Sequence, residues 1–407
     1  MKPLSEYLFR ITNWIILSIA RVFVTRNENY IAIGSWKGER FVDNSRYLME
    51  YLDSNYPNFT LYWVGNDKIK DEVLNNTKNV KFLTLNKITS NLKLLKCKYF
   101  FFSQFHTEDI SYSNVFKDAV LCYLHHGMPI KKWGADGLNE TAVYTSTIRK
   151  LASHISGNNI PYNYFATSSP LHDKTNCTSL SFKGCTMEKN LCSGTPRNDM
   201  LVNYDANFSE KQRIKYSELL NFDNDCKVIM YLPTFRRISK NIFSFSQLSA
   251  EQKRDLDNIL EKHNAVLIEK SHFAERVEIN GTDSKRIKFA DKNVNVQEMM
   301  LFTDILISDY SGAFLDFILL DRPVLHFVYD YDYYKNVDSG LYYEIEDFSA
   351  GAVIKDYDNM LQEIDKLLCG NDEYSQKRKY VAEKFMSYEK GNSSEQIVNK
   401  VIFNKDN

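Results

Sequence analysis

From residue 29 onward, short apolar runs alternate with amphipathic segments. "NYIAIGSW" predicts a strand ending at Gly34, and residues 42–53 predict a helix. "TLYWVG", "VKFLTL", "CKYFFFS" and "AVLCYLHHG" predict four more strands. Runs that are apolar throughout suit a parallel sheet buried on both faces, with helices as crossovers. A polar stretch at residues 203–225 predicts a helix and a linker. The pattern then restarts with "KVIMYLPTF", a helix over 247–262, "NAVLIEKS", "TDILISDYSG" and "RPVLHFVYD". Residues 373–403 predict helix. The expected fold class is therefore α/β, with two doubly wound, Rossmann-like domains at 29–222 and 223–407 facing a cleft. Ligands in such sheets sit at the carboxyl ends of the strands.

Residues 1–28 stand apart. In "EYLFRITNWIILSIARVFVTR", Leu8, Ile11, Ile15, Ile19 and Val22 form one stripe at helical spacing, with Arg10 and Arg21 well away from it. An amphipathic helix lying in a membrane interface has this pattern, with Trp14 near the headgroups. Leu17 breaks the polar face, so a helix packed on its own domain is the competing expectation. No run of about 18 apolar residues predicts a spanning helix, and no small-residue cleavage site marks a signal peptide.

Composition narrows the classes. The net charge of −1 over 407 residues gives no broad nucleic-acid surface. Seven scattered cysteines without a CxxC favour a reducing compartment over a disulfide framework or zinc site. No GxxxxGK[ST] is present, and no GxGxxG follows the first strand, which argues against P-loop and dinucleotide chemistry. "DND" at Asp223–Asp225 and "DYD" at Asp330–Asp332 have the DxD form of metal-using enzymes, but chance accounts for both in so Asp-rich a chain.

Several strand ends carry candidate chemistry. In "ILISDYSGAFLDFILLDRP", a strand, a turn with Asp309, Ser311 and Gly312, and a helix from Ala313 suit either an anion site or ordinary N-capping. Thr234, Arg236 and Arg237 follow another strand, and arginine forks suit phosphate oxygens. Lys270 and His272 follow a third, where both can donate to an anion. Arg197, in "CSGTPRNDML", either reaches an anion or braces a hinge. "YLHHGMPIKKWG" sets His125 and His126 beside Gly127, Lys131 and Lys132.

"HHGMPIKKWG", "SGTPRNDML", "YLPTFRR", "EKSH" and "SDYSGAFLDFILLDRPVLHFVYD" occur in this order across residues 125–330. Together they resemble the CDP-glycerol glycerophosphotransferase family, which builds teichoic acids and capsular polyol-phosphate polymers. "SWKGERFVDNSRYLMEYL" and "FSAGAVIKDYDNML" extend the resemblance to about residues 29–361. It implies a GT-B-like fold and attack by an acceptor hydroxyl on the β-phosphate of CDP-glycerol or CDP-ribitol, with CMP leaving. His126 is implied as general base, and His272 as the second catalytic histidine, on the transferring phosphate. Thr234, Arg236 and Ser311 are implied to hold the diphosphate. Gly127, Arg197, Lys270, Asp309, Gly312 and Asp316 complete the implied substrate-binding set.

No protein metal ligand is expected, though Mg²⁺ can ride with the donor diphosphate. The expected setting is peripheral, at the cytoplasmic face of the membrane, with a lipid-linked or capsular glycan as acceptor and no nucleic-acid partner. Nothing argues against a homo-oligomer. The chain departs from the usual W-H-G-T-P at His125-His126-Gly127-Met128-Pro129, and from the usual Ser-Ser at Ser311-Gly312. A long extra domain is not expected, which favours a priming transferase or a compact polymerase. A nucleotide-sugar glycosyltransferase is the alternative enzyme.

Overall fold

The computed structural model describes residues 4–137, 153, 155–234, 236, 238, 242–270, 284–291, 294–338 and 340–405, the side chains of 4–10 excepted. The chain forms two compact units. The first comprises Met1–His126, Gly134–Asp199 and Tyr388–Asn407, and the second Gly127–Trp133 and Met200–Ser387.

The first unit is built on a parallel sheet of β1 (Asn27–Gly34), β2 (Thr60–Gly65), β3 (Lys81–Thr84), β4 (Cys97–Phe102), β5 (Val120–Tyr123) and β6 (Tyr164–Phe165), in the order β3-β2-β1-β4-β5-β6. The second carries β7 (Lys227–Leu232), β8 (Ala265–Glu269), β9 (Ile287–Phe289), β10 (Ile305–Ser308), β11 (Val324–Phe327) and β12 (Ala352–Ile354), in the order β9-β8-β7-β10-β11-β12. Counted within each unit, both orders read 3-2-1-4-5-6, the doubly wound Rossmann arrangement. Each sheet therefore reverses its winding between its first and fourth strands, β1 and β4 in one unit and β7 and β10 in the other.

The apolar runs become buried strands, as their lack of alternation requires. In the first unit Ile31, Ile33, Trp63 and Phe101 pack with Leu48 and Leu52 of the Asp43–Asn55 helix and with Ile397 and Val398 near the C-terminus. In the second, Ile229, Leu267, Ile305 and Ile307 pack with Leu256, Leu260, Met360 and Ile364 from two covering helices. The very short strands β6, β9 and β12 carry too few residues to show a pattern.

The unit boundaries differ from a single cut at 222/223. The Asp199 carboxylate accepts the N–H groups of Ser393 and Ser394 at 2.7 and 2.9 Å and so caps the Ser393–Val401 helix. Glu389 accepts the Thr195 N–H and hydroxyl, both at 3.0 Å. These bonds draw the last twenty or so residues back to the first unit.

The N-terminal segment is helical, α1, over Leu4–Val22. Among its described side chains Asn13 and Leu17 are buried, so the leucine that interrupts the polar face packs. Ile11, Ile15, Ile19 and Val22 stay exposed, at 44%, 47%, 60% and 78%. No described helix is long and apolar enough to cross a membrane.

Among the described residues of the first unit, His106, His125 and His172 are buried. Burial holds His106 and His172 down to about 3 and His125 well below its ordinary value. Burial pushes Asp109 the other way, up to about 7. Between about pH 6.5 and 5 the unfolded chain gains three histidine protons that the folded unit refuses, against one that folded Asp109 takes up first. Stability should therefore fall on acidification across that window, by roughly 1.4 kcal/mol per pH unit for each unmatched proton. Urea unfolding at several pH values checks this; a midpoint that holds or rises toward pH 5 would contradict it.

Candidate active site

Both candidate clusters lie at the carboxyl ends of the strands flanking a winding reversal. In the first unit the chain leaves β1 through Ser35, Trp36 and Lys37. Trp36 and Lys37 adopt left-handed φ of 45° and 57°, and Asp43 follows at 68°. Such a turn is strained for these residues and persists because its surroundings fix it. Trp36 Nε1 donates to Asp43 Oδ2 at 3.0 Å, and Arg197 donates to Asp43 Oδ1 at 2.8 Å. Asn44 donates to the carbonyls of Leu124 and His125, each at 2.9 Å, while its own oxygen accepts the Arg197 N–H. Arg197 also donates to the His126 carbonyl at 2.8 Å. It thus braces the loop after β5.

Asp109, fully buried, ties the neighbouring turns together. It accepts the N–H of Lys37 at 2.8 Å, of Ser103 at 3.1 Å and of Gln104 at 2.8 Å. A Cβ at Gly34 would lie 2.2 Å from the Asp109 carbonyl, so only glycine fits there. His126 is exposed, sits edge-on to Trp36 at 6.1 Å, and places Nδ1 3.3 Å from the Ser103 carbonyl. A carbonyl only accepts, so Nδ1 carries a proton, and whenever the ring is neutral the lone pair lies on Nε2. His125 is different. It is buried, with its ring 4.3 Å from Tyr123 and 4.4 Å from His172, and burial keeps it neutral.

The second unit starts at Gly127, whose φ of 129° suits glycine. Here Asp309, just past β10, is the hub. Its carboxylate accepts the Thr234 N–H at 3.0 Å, the Thr234 hydroxyl at 2.5 Å, Arg236 at 2.9 Å and the Tyr310 N–H at 2.7 Å. Arg236 is enclosed. It also donates to the Thr234 carbonyl, to both oxygens of Asp330 and to the Tyr329 hydroxyl, so all five of its N–H groups meet protein acceptors. Burial weakens its charge, but Asp309 and Asp330 outweigh burial and hold it protonated. The stacked rings of Tyr310 and Tyr334 lie beside it. Asp330, the first residue of "DYD", is consumed by this fork and by the Tyr310 hydroxyl at 3.0 Å.

Ser311 Oγ accepts the Ala313 N–H at 3.3 Å, at the start of the short Ala313–Phe317 helix, whose N-cap is Gly312. A Cβ at Gly312 would lie 2.8 Å from the Met128 carbonyl. The two departures from the usual motif pattern therefore touch. Lys270 and Asp316 are buried, at the end of β8 and in the Ala313–Phe317 helix. His272 lies outside the described residues, as does Arg237. Among the described residues, the one group of three metal-donor side chains is His263, Asp365 and Cys369. His263 precedes β8, at the sheet edge opposite Asp309 and Thr234.

Sequence reasoning passed over Trp36, Asp43, Asn44, Ser103 and Asp109, and weighed Asp330 only as part of a DxD motif. The Asp and Asn of "FVDNSR" hint at a left-handed turn, but the bonds they make join segments far apart in sequence.

The sequence profile of the CDP-Glycerol:Poly(glycerophosphate) glycerophosphotransferase family matches residues 16–403. A teichoic acid poly(glycerol phosphate) polymerase of Bacillus spizizenii is 27% identical over 387 residues, covering 93% of each chain. A teichoic acid glycerol-phosphate transferase of Staphylococcus aureus is 26% identical, covering 91% of this chain and 92% of its own. The chain spans about half of a Bacillus subtilis poly(glycerol phosphate) polymerase, 48% of its length at 24% identity. Among solved structures, the wall teichoic acid polymerase TagF aligns with a TM-score of 0.77 at 20% identity, over 99% of this chain and 98% of that one.

Two substitutions probe the geometry. Asp309→Asn leaves a buried guanidinium short of a partner, and should cost on the order of 3–5 kcal/mol in denaturant unfolding. Gly312→Ala should keep the fold but displace the Met128 carbonyl, lowering turnover more than thermal stability. Unchanged stability in the first, or unchanged turnover in the second, would contradict these assignments.

Proposed function

Since the chain belongs to the CDP-glycerol:poly(glycerophosphate) glycerophosphotransferase family, we propose that it moves a polyol phosphate, glycerol phosphate before ribitol phosphate, from a CDP-activated donor to a hydroxyl of a lipid-linked or capsular glycan. The acceptor oxygen bonds to the β-phosphorus, the bond from that phosphorus to the CMP oxygen breaks, and CMP leaves with the electron pair. The acceptor proton passes to Nε2 of His126. The Nδ1 contact of His126 with the Ser103 carbonyl carries this reading, because it leaves the lone pair on Nε2.

The loop after β10 holds the donor diphosphate, with Ser311 and Gly312 facing it and Lys270 and His272 supplying positive charge, while Thr234, whose N–H and hydroxyl donate to Asp309, holds the neighbouring loop in place. Arg236 serves this loop as a positioning residue. Its N–H groups are bound by protein oxygens, so it fixes Thr234 and Asp309 instead of gripping phosphate. Arg197 has the corresponding task for the His126 loop. Asp316 supports the loop from its helix. Any Mg²⁺ arrives with the diphosphate, which needs few protein ligands.

The protein works at the cytoplasmic face of the membrane, where its acceptor is anchored. The exposed Ile11, Ile15, Ile19 and Val22 stripe supports this, since an apolar face left open on a helix suits the headgroup boundary.

His126→Ala should lower acceptor-dependent transfer by about 10²–10⁴-fold with the circular dichroism and melting curve unchanged. Full activity in that variant would remove the proposed base. Ile15→Glu/Ile19→Glu should release the protein from vesicles while sparing transfer to a soluble acceptor, as sedimentation and CMP release would report.

A further inference from the structure

At the foot of α1 the first unit holds a cavity of about 350 Å³. Arg21, Arg26, Lys98 and Lys117 line it, opposed by Glu28 and Asp118. Arg26 is locked in place: its N–H groups donate to the carbonyls of Leu95, Cys97, Val115 and Lys117. Arg21 donates to the Asn114 carbonyl at 2.8 Å. These guanidinium partners are neutral carbonyls, so the two cations are fixed in the wall with their charge incompletely matched. Burial lowers both, Arg26 to about 10, the nearness of Arg21 adds to the fall for Arg26, and Asp118 offsets part of the fall in each. An anion in the cavity would relieve that strain. Lys98 and Lys117 add ammonium groups that can close on it.

The position says which anion. The cavity adjoins the last turn of the helix whose outer stripe is exposed, and Val22 and Phe23 beside it are 78% and 81% exposed. With that stripe at the acyl boundary, the last turn lies at headgroup level. The volume falls within the range of small-ligand pockets. We propose that this cavity takes the phosphate of an anionic lipid headgroup, with Arg21 and Arg26 as fixed charges and Lys98 and Lys117 as the closing groups. The proposal rests on the membrane-surface reading of α1 and adds lipid selectivity to it.

The test is vesicle sedimentation of the full chain with phosphatidylcholine alone and with phosphatidylcholine mixed with phosphatidylglycerol. Wild type should prefer the mixed vesicles by about tenfold or more. Lys98→Gln/Lys117→Gln should lose most of that preference while still binding phosphatidylcholine. Lys211→Gln/Lys405→Gln, the same charge change elsewhere, should keep it. Equal binding to both vesicles, or a preference that survives Lys98→Gln/Lys117→Gln, overturns the pocket and leaves the stripe reading intact. No binding to either vesicle overturns both. Calorimetry with inorganic phosphate separates the sources: binding that depends on Lys98 and Lys117, without any vesicle preference, marks a soluble-anion site and overturns the lipid assignment.

Discussion

A buried carboxylate that follows the fourth strand of each sheet gathers the loop that follows the first. In the second unit Asp309, after β10, takes the Thr234 N–H after β7. In the first, Asp109, shortly after β4, takes the Lys37 N–H after β1. Both bonds cross the point where the sheet reverses its winding, where the loops part and leave room for a ligand. Without Asp309 the Thr234 N–H would be buried and unpaired, at a cost of about 1–3 kcal/mol. The two units solve the charge problem differently. Asp309 is matched by a guanidinium with no exposed side-chain surface. Asp109 meets backbone N–H groups, and burial leaves it titrating at about 7.

That constraint explains the division of labour at the site. Groups buried beside the carboxylates are saturated by protein partners and hold shape. His126, one step farther out on its loop, is exposed. A loose phosphoryl transition state asks mainly for positioning and matched charge. Within each unit a buried ion pair fixes the loops, Asp309 with Arg236 in one and Asp43 with Arg197 in the other.

Much of the fold was legible in the sequence because buried parallel strands are apolar from end to end. "TLYWVG" corresponds residue for residue to β2. The helix after "SDYSG" was legible too, although it ends at Phe317 and passes into a 3₁₀ turn closed by Asp321 in the left-handed region. Strands of two or three residues were not, since periodicity needs length. The unit boundary was hidden because Asp199 caps a helix nearly two hundred residues away. The site was legible as a set of residue types, and less so as roles. Arg236 reads as a phosphate fork until its five acceptors are seen. Nothing in "FVDN" announces that Asp43 joins Trp36 to Arg197.

The most direct test of the central claim is CMP release. The purified chain would be given CDP-glycerol, CDP-ribitol and a UDP-sugar in turn, each with and without a membrane-extract acceptor. Acceptor-dependent CMP from a CDP-polyol, and no UDP from the sugar, is the expected result. UDP release from the sugar with no CMP from either polyol donor would contradict the account.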